Sequence, residues 1–86
     1  MNLWEQELAL VERAALRIEA MEAVAEQRVD AAFAEAEVSG CDPRKTLEFE
    51  QWLAARADTD AAWGRWAEVM HARPAAPTAA MAGSAP

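Results

Sequence analysis

The side chains able to do chemistry are few and scattered. His71 is the single histidine and Cys41 the single cysteine, thirty residues apart, with no further His or Cys to complete a zinc site. His71 falls near the end of a helical pattern, where a histidine complements the helix dipole. Cys41 falls in a turn with only Arg44 and Lys45 nearby, a poor setting for a reactive thiolate. Glu22 and Glu26 have the four-residue spacing of carboxylate ligands on one helix, but the Glu-x-x-His element of di-iron bundles is absent. No Gly-rich phosphate loop, nucleophile elbow or Ser-His-Asp set occurs. The chain reads as non-enzymatic, and nothing in it calls for a cofactor or a metal.

The carboxylates that do form a pattern are Glu5, Glu12, Glu19 and Glu26, spaced by seven. On a helix they make an acidic ridge beside an apolar seam, where coiled coils carry the charges that choose a partner. Residues 1–41 hold nine acidic and three basic side chains, and residues 42–73 hold six and five, for a net charge of −7. Arg13, Arg17 and Arg28 have no acidic neighbour three or four positions away, so intrahelical pairing leaves the ridge unbalanced. Such a ridge serves either as a solvated face or as the attraction for a basic protein surface. Direct nucleic-acid binding needs clustered Lys and Arg, which are missing. Mimicry of nucleic acid is a third reading, although carboxylates about 10 Å apart along a helix are sparse substitutes for phosphates.

The element that must position these groups runs from Leu3 to Val38, thirty-six residues without Gly or Pro, opened by Asn2 and closed by Ser39-Gly40. This predicts one helix roughly 50 Å long. Leu8, Val11, Ala15, Ile18, Ala25, Val29, Ala32 and Ala36 follow the alternating three-and-four spacing of a heptad seam, begun by Trp4 and interrupted by Glu22. Leu3, Leu10, Met21, Val24 and Val38 are expected to widen that seam, as in a bundle helix.

Gly40 and Asp42-Pro43 then reverse the chain: a left-handed helix end in a turn over 39–42, followed by an N-cap and a first-turn proline. A second helical region is predicted over 43–73, stopped by Pro74, with apolar positions Leu47, Phe49, Trp52, Leu53, Trp63, Trp66, Val69 and Met70. Arg56, Asp58, Thr59 and Asp60 interrupt this stripe and favour a break near residue 58, where Asp58 or Thr59 would cap a third helix. The fold class is therefore all-α: a helical hairpin with the long first helix antiparallel to a second region, continuous or broken. Residues 1–73 form one domain, and 74–86, rich in Ala, Pro, Gly and Ser, read as a disordered tail.

Trp52, Trp63 and Trp66 cluster in the second half. They fit either a small core or a recognition surface, with Trp66 favoured for recognition because it lies farthest from the acidic interruption. Phe49-x-x-Trp52-Leu53 followed by Ala62-Trp63-x-x-Trp66 resembles the N-terminal cytosolic segment of FecR-like anti-sigma regulators, which implies sequestration of a transcription factor. In size, acidity and Ala/Arg/Glu/Trp usage the chain is similar to small proteins of temperate phages of GC-rich bacteria, and that likeness implies inhibition of a host protein.

The expectation that follows is a non-enzymatic inhibitor or modulator of a larger protein with a basic or aromatic-accepting surface, met by Glu5, Glu12, Glu19, Glu26, Trp52, Trp63 and Trp66. The lone cysteine and the lack of a signal peptide fit a reducing cytoplasm, the host's if the chain is phage-encoded. No stretch is apolar enough to span a membrane. Two helices side by side leave much of a wide seam uncovered, so a homodimer is expected, a four-helix arrangement burying Leu8, Val11, Ile18 and Val29.

Overall fold

The computed structural model describes residues 2–74. Helix α1 spans Leu3–Ser39, about 55 Å of unbroken helix. Asn2 starts it: its backbone is extended, and its side-chain oxygen accepts a hydrogen bond from the Glu5 N–H at 2.7 Å. Gly40 ends it in the left-handed conformation, at φ 77° and ψ 17°, which a residue without Cβ adopts most cheaply. The Gly40 and Cys41 N–H groups then both reach back to the Ala36 carbonyl.

The second region departs from expectation at its start. Pro43–Lys45 is a single turn of tighter helix, capped by Asp42, whose Oδ1 accepts from the Arg44 N–H at 3.0 Å. The α-helix begins only afterwards: α2 spans Leu47–His71, with Thr46 as its N-cap accepting from the Phe49 N–H at 3.2 Å. It ends two residues short of Arg73, where the Ala72 N–H bonds to the Glu68 carbonyl and Pro74 follows.

The break expected near residue 58 is absent, and α2 passes through Arg56–Asp60 as regular helix. Asp58 and Asp60 lie outside the buried stripe and are exposed, so they do not interrupt it. Thr59 lies on the stripe and is buried, its hydroxyl donating to the Ala55 carbonyl at 3.1 Å. A hydroxyl satisfied within its own helix is no obstacle to burial.

The two helices lie antiparallel, as three contacts far apart in sequence establish. Trp4 Nε1 donates to the Val69 carbonyl at 2.7 Å, Trp63 Nε1 donates to Glu19 Oε2 at 3.1 Å, and the Phe33 and Phe49 rings stand 6.0 Å apart. The seam expected in α1 is buried or half-buried at every position from Trp4 to Ala36, Glu22 included. Facing it from α2 are Glu48, Trp52, Ala55, Thr59, Ala62, Trp66 and Val69, again three and four apart. Ala15 and Ala62 are the most deeply buried, at 0% and 1% exposure. Small residues at these points let the helices approach closely.

The flank expected to widen the core does not join it. Leu3, Leu10, Met21, Val24 and Val38 are exposed, as are Leu47, Leu53 and Met70 of α2, because two helices can cover only the faces they turn toward each other. No helix among the described residues is long and apolar enough to cross a membrane. The tail expectation for 74–86 falls almost wholly on residues 75–86, outside those described.

Two neighbouring positions of α2 should respond in opposite senses. A Cβ built on Gly64 meets nothing within 4 Å, so Gly64→Ala should raise stability by about 0.5–1 kcal/mol by removing a glycine from a helix interior. Ala62→Leu should lower it by about 1–3 kcal/mol, since the added atoms have no room in the seam. Urea denaturation of both variants measures the two signs.

Candidate protein-interaction surfaces

With the seam register known, every other residue takes a definite side of the hairpin. In an antiparallel pair the two helices present like flanks to each other, which makes two edges. One edge gathers the ridge Glu5, Glu12, Glu19 and Glu26 from α1 and the seven-residue series Phe49, Arg56, Trp63 and Met70 from α2. The Glu19–Trp63 hydrogen bond spans this edge. Phe33 continues the spacing of the ridge and rests against Phe49. From there the rings run inward: Phe49 is 5.7 Å from Trp52, whose other neighbour is the Arg56 guanidinium at 5.4 Å. Trp63 meets Trp66 edge-on at 5.6 Å.

The ridge residues are all exposed, and they differ in what they touch. Glu5 belongs to the cap of α1, with one carboxylate oxygen 3.5 Å from the Asn2 amide. Glu19 is held by Trp63. Among the described residues the Glu12 and Glu26 side chains make neither hydrogen bond nor ion pair, and the one ion pair joins Arg44 to Asp42 at 3.5 Å. The hairpin therefore does little to neutralise its own acidic edge.

The tryptophans divide by position. Trp52 and Trp66 are seam residues whose indole nitrogens are shut off from solvent without a hydrogen-bond partner. Trp63 alone of the three has its N–H on the edge, engaged by a carboxylate. The favoured recognition residue of the sequence reading, Trp66, is thus part of the packing, and Trp63 holds the edge position. Leu8, Val11, Ile18 and Val29 are seam residues too, covered by α2 of the same chain. A charge at Ile18 would therefore strike the hairpin itself.

Across the molecule the second edge is an open groove of about 450 Å³ lined by Met21, Val24, Ala25 and Arg28 of α1 and Gln51, Ala54, Ala55 and Asp58 of α2. Val24 lies on the same helical stripe as Leu3, Leu10 and Val38, so apolar surface extends along α1 beyond the groove. Leu47 adds to it from α2. Sequence reasoning counted these residues as core and so missed the groove; their five-residue excess over a two-position stripe was the available signal. Phe33 and Arg56 were also missed, although each falls in a seven-residue series with residues already singled out.

No group of three or more His, Cys, Asp or Glu is placed to hold a metal ion among the described residues. Cys41 is free and exposed in the turn, and His71 is exposed at the last position of α2. No family model matches the chain, and neither a curated protein nor a solved structure matches it.

The two orphaned indoles give a direct test of the packing. Trp66→Ala should cost about 3–5 kcal/mol through the cavity it leaves. Trp66→Phe keeps most of the ring while deleting an unsatisfied buried donor, whose burial costs about 1–3 kcal/mol, so it should come within about 1 kcal/mol of the parent. Thermal melts of the pair separate packing from hydrogen bonding.

Proposed function

We propose that this chain is a non-enzymatic, protein-binding hairpin that inhibits or modulates a larger protein in the cytoplasm, meeting it with the acidic edge. The observation that carries the reading is the pairing, on one edge, of four carboxylates with aromatic side chains at regular spacing. Among the described residues these carboxylates make no ion pair, and the single cation beside them, Arg56, lies over Trp52. Charges of that kind attract an oppositely charged surface over distance, and partly exposed aromatic rings supply contact once it arrives. Glu12 and Glu26 act as the steering charges, while Phe33 and Trp63 supply contact area. The partner is accordingly a protein with a basic surface that accepts an aromatic side chain. Seven-residue spacing is far looser than the phosphates of a nucleic-acid strand, so the edge suits a protein surface better than a nucleic-acid site.

The test compares the parent with a variant carrying Gln at Glu5, Glu12, Glu19 and Glu26. Tagged protein of each kind is exposed to cell lysate at low and high salt, and retained species are identified by mass spectrometry. A partner held by the parent at low salt, and lost both at high salt and with the variant, supports the reading. With that partner purified, the variant should associate about tenfold or more slowly while keeping its helix content. Equal association rates and equal salt dependence would reduce the ridge to a solvated face.

A further inference from the structure

The groove between α1 and α2 has no occupant within the described residues, and its character differs from that of the acidic edge. Met21 and Val24 form one wall and the small residues Ala54 and Ala55 lie opposite, leaving an apolar trough open to solvent. Met21 is 65% exposed and Leu10, one stripe position before Arg17, is 62% exposed, a large apolar cost for a chain of this size. Its own core is thin: among the described residues no large side chain is fully buried. A single seam between two helices is marginal as a source of stability, and small folds commonly make up the difference by self-association.

Charge decides which occupant fits. Two copies of a chain with net charge −7 repel each other unless they meet through a face where charge cancels. By the helical register, Arg17 and Arg28 of α1 fall on the groove flank, together with only Glu7 and Glu35 of its nine acidic residues, while Arg13 points directly away from the seam. Moreover, Arg28 and Asp58 line the groove from opposite helices, and neither has an ion-pair partner among the described residues. In a two-fold contact, residue i meets j of the second copy and j meets i. A copy that brings its Asp58 to Arg28 therefore brings its Arg28 to Asp58, so one symmetric approach satisfies both pairs.

The area suffices as well. Over the roughly 40 Å where the helices lie side by side, a face about 20 Å wide offers on the order of 800 Å². That is what a stable interface takes from each partner.

From the groove, its balanced charge and its reciprocal Arg28 and Asp58, we infer that the occupant is a second copy of this chain, joined groove to groove as a two-fold four-helix assembly. This dimer turns both acidic edges outward, so a failure of the dimer leaves the acidic-edge reading standing, and the reverse also holds.

Sedimentation of the full chain at tens of micromolar under reducing conditions, which keep Cys41 from linking chains, tests it. The parent should sediment at twice the chain mass. Val24→Glu should give a monomer with unchanged helix content, because Val24 is exposed in the single hairpin. Leu53→Glu, equally exposed on the acidic side of α2, should stay dimeric. Asp58→Arg should weaken the dimer at least tenfold, and adding Arg28→Asp should restore it. A monomeric parent overturns the inference. So does a dimer that Leu53→Glu breaks and Val24→Glu does not, or one that the double exchange fails to restore.

Discussion

Ala15 and Ala62 retain almost no surface of their own, and the closeness of the two helix backbones at these residues governs the remainder of the hairpin. Small side chains there draw the axes together, and the larger Trp52, Trp66 and Ile18 fill the layers between. Close approach also favours this register, since a shift that brought Leu16 or Trp63 to these points would place a bulky side chain where only alanine fits. With register fixed, the composition of both edges follows. In this register Glu19 meets Trp63 and Phe33 meets Phe49.

Much of this was legible in the sequence, and unevenly so. The seam of α1 is readable at each position but Glu22, which counts as an interruption in the pattern yet is half-buried in the seam, because its three-and-four spacing runs on without Gly or Pro. The turn is readable through Gly40 and Pro43, each with a backbone requirement that few other residues meet. The continuity of α2 was not readable. Thr59 counts as polar in any pattern, and only the structure reveals its hydroxyl bound to Ala55 one turn back. The flank of Leu3, Leu10, Met21, Val24 and Val38 fails for another reason: periodicity says which residues share a face, while the number of helices available to cover that face is a property of the assembly. The same reason explains Trp63 and Trp66, three apart in sequence yet divided between edge and seam.

The charges sort themselves along the same line. α1 carries Arg17 and Arg28 on one flank, Arg13 on its outer face and most of its carboxylates on the other flank, and none of the three arginines has an acidic neighbour three or four residues away. A helix arranged in this way forgoes local ion pairs, each worth only a few tenths of a kcal/mol, and gains two surfaces of contrasting character. The acidic edge carries unbalanced charge whose field salt screens, whereas the groove side combines exposed apolar surface with the opposite charges of Arg28 and Asp58.

The Trp4–Val69 hydrogen bond joins residues 65 apart in sequence, at the end of the hairpin away from the turn. Closing a loop of that length directly would be slow and entropically costly, but the layers between offer a gradual route. Contacts near the turn, such as Phe33–Phe49, close the shortest loop first, and each later layer adds only a few residues to a loop already closed. Loop-closure entropy thus favours zipping from the turn outward and fraying in the reverse order. Trp4, with the Arg73 guanidinium 5.4 Å from its ring, is the latch on the end that opens first. Tension applied between residues 2 and 74 would load this latch before any alanine layer, and the hairpin would peel open one turn at a time instead of yielding all at once.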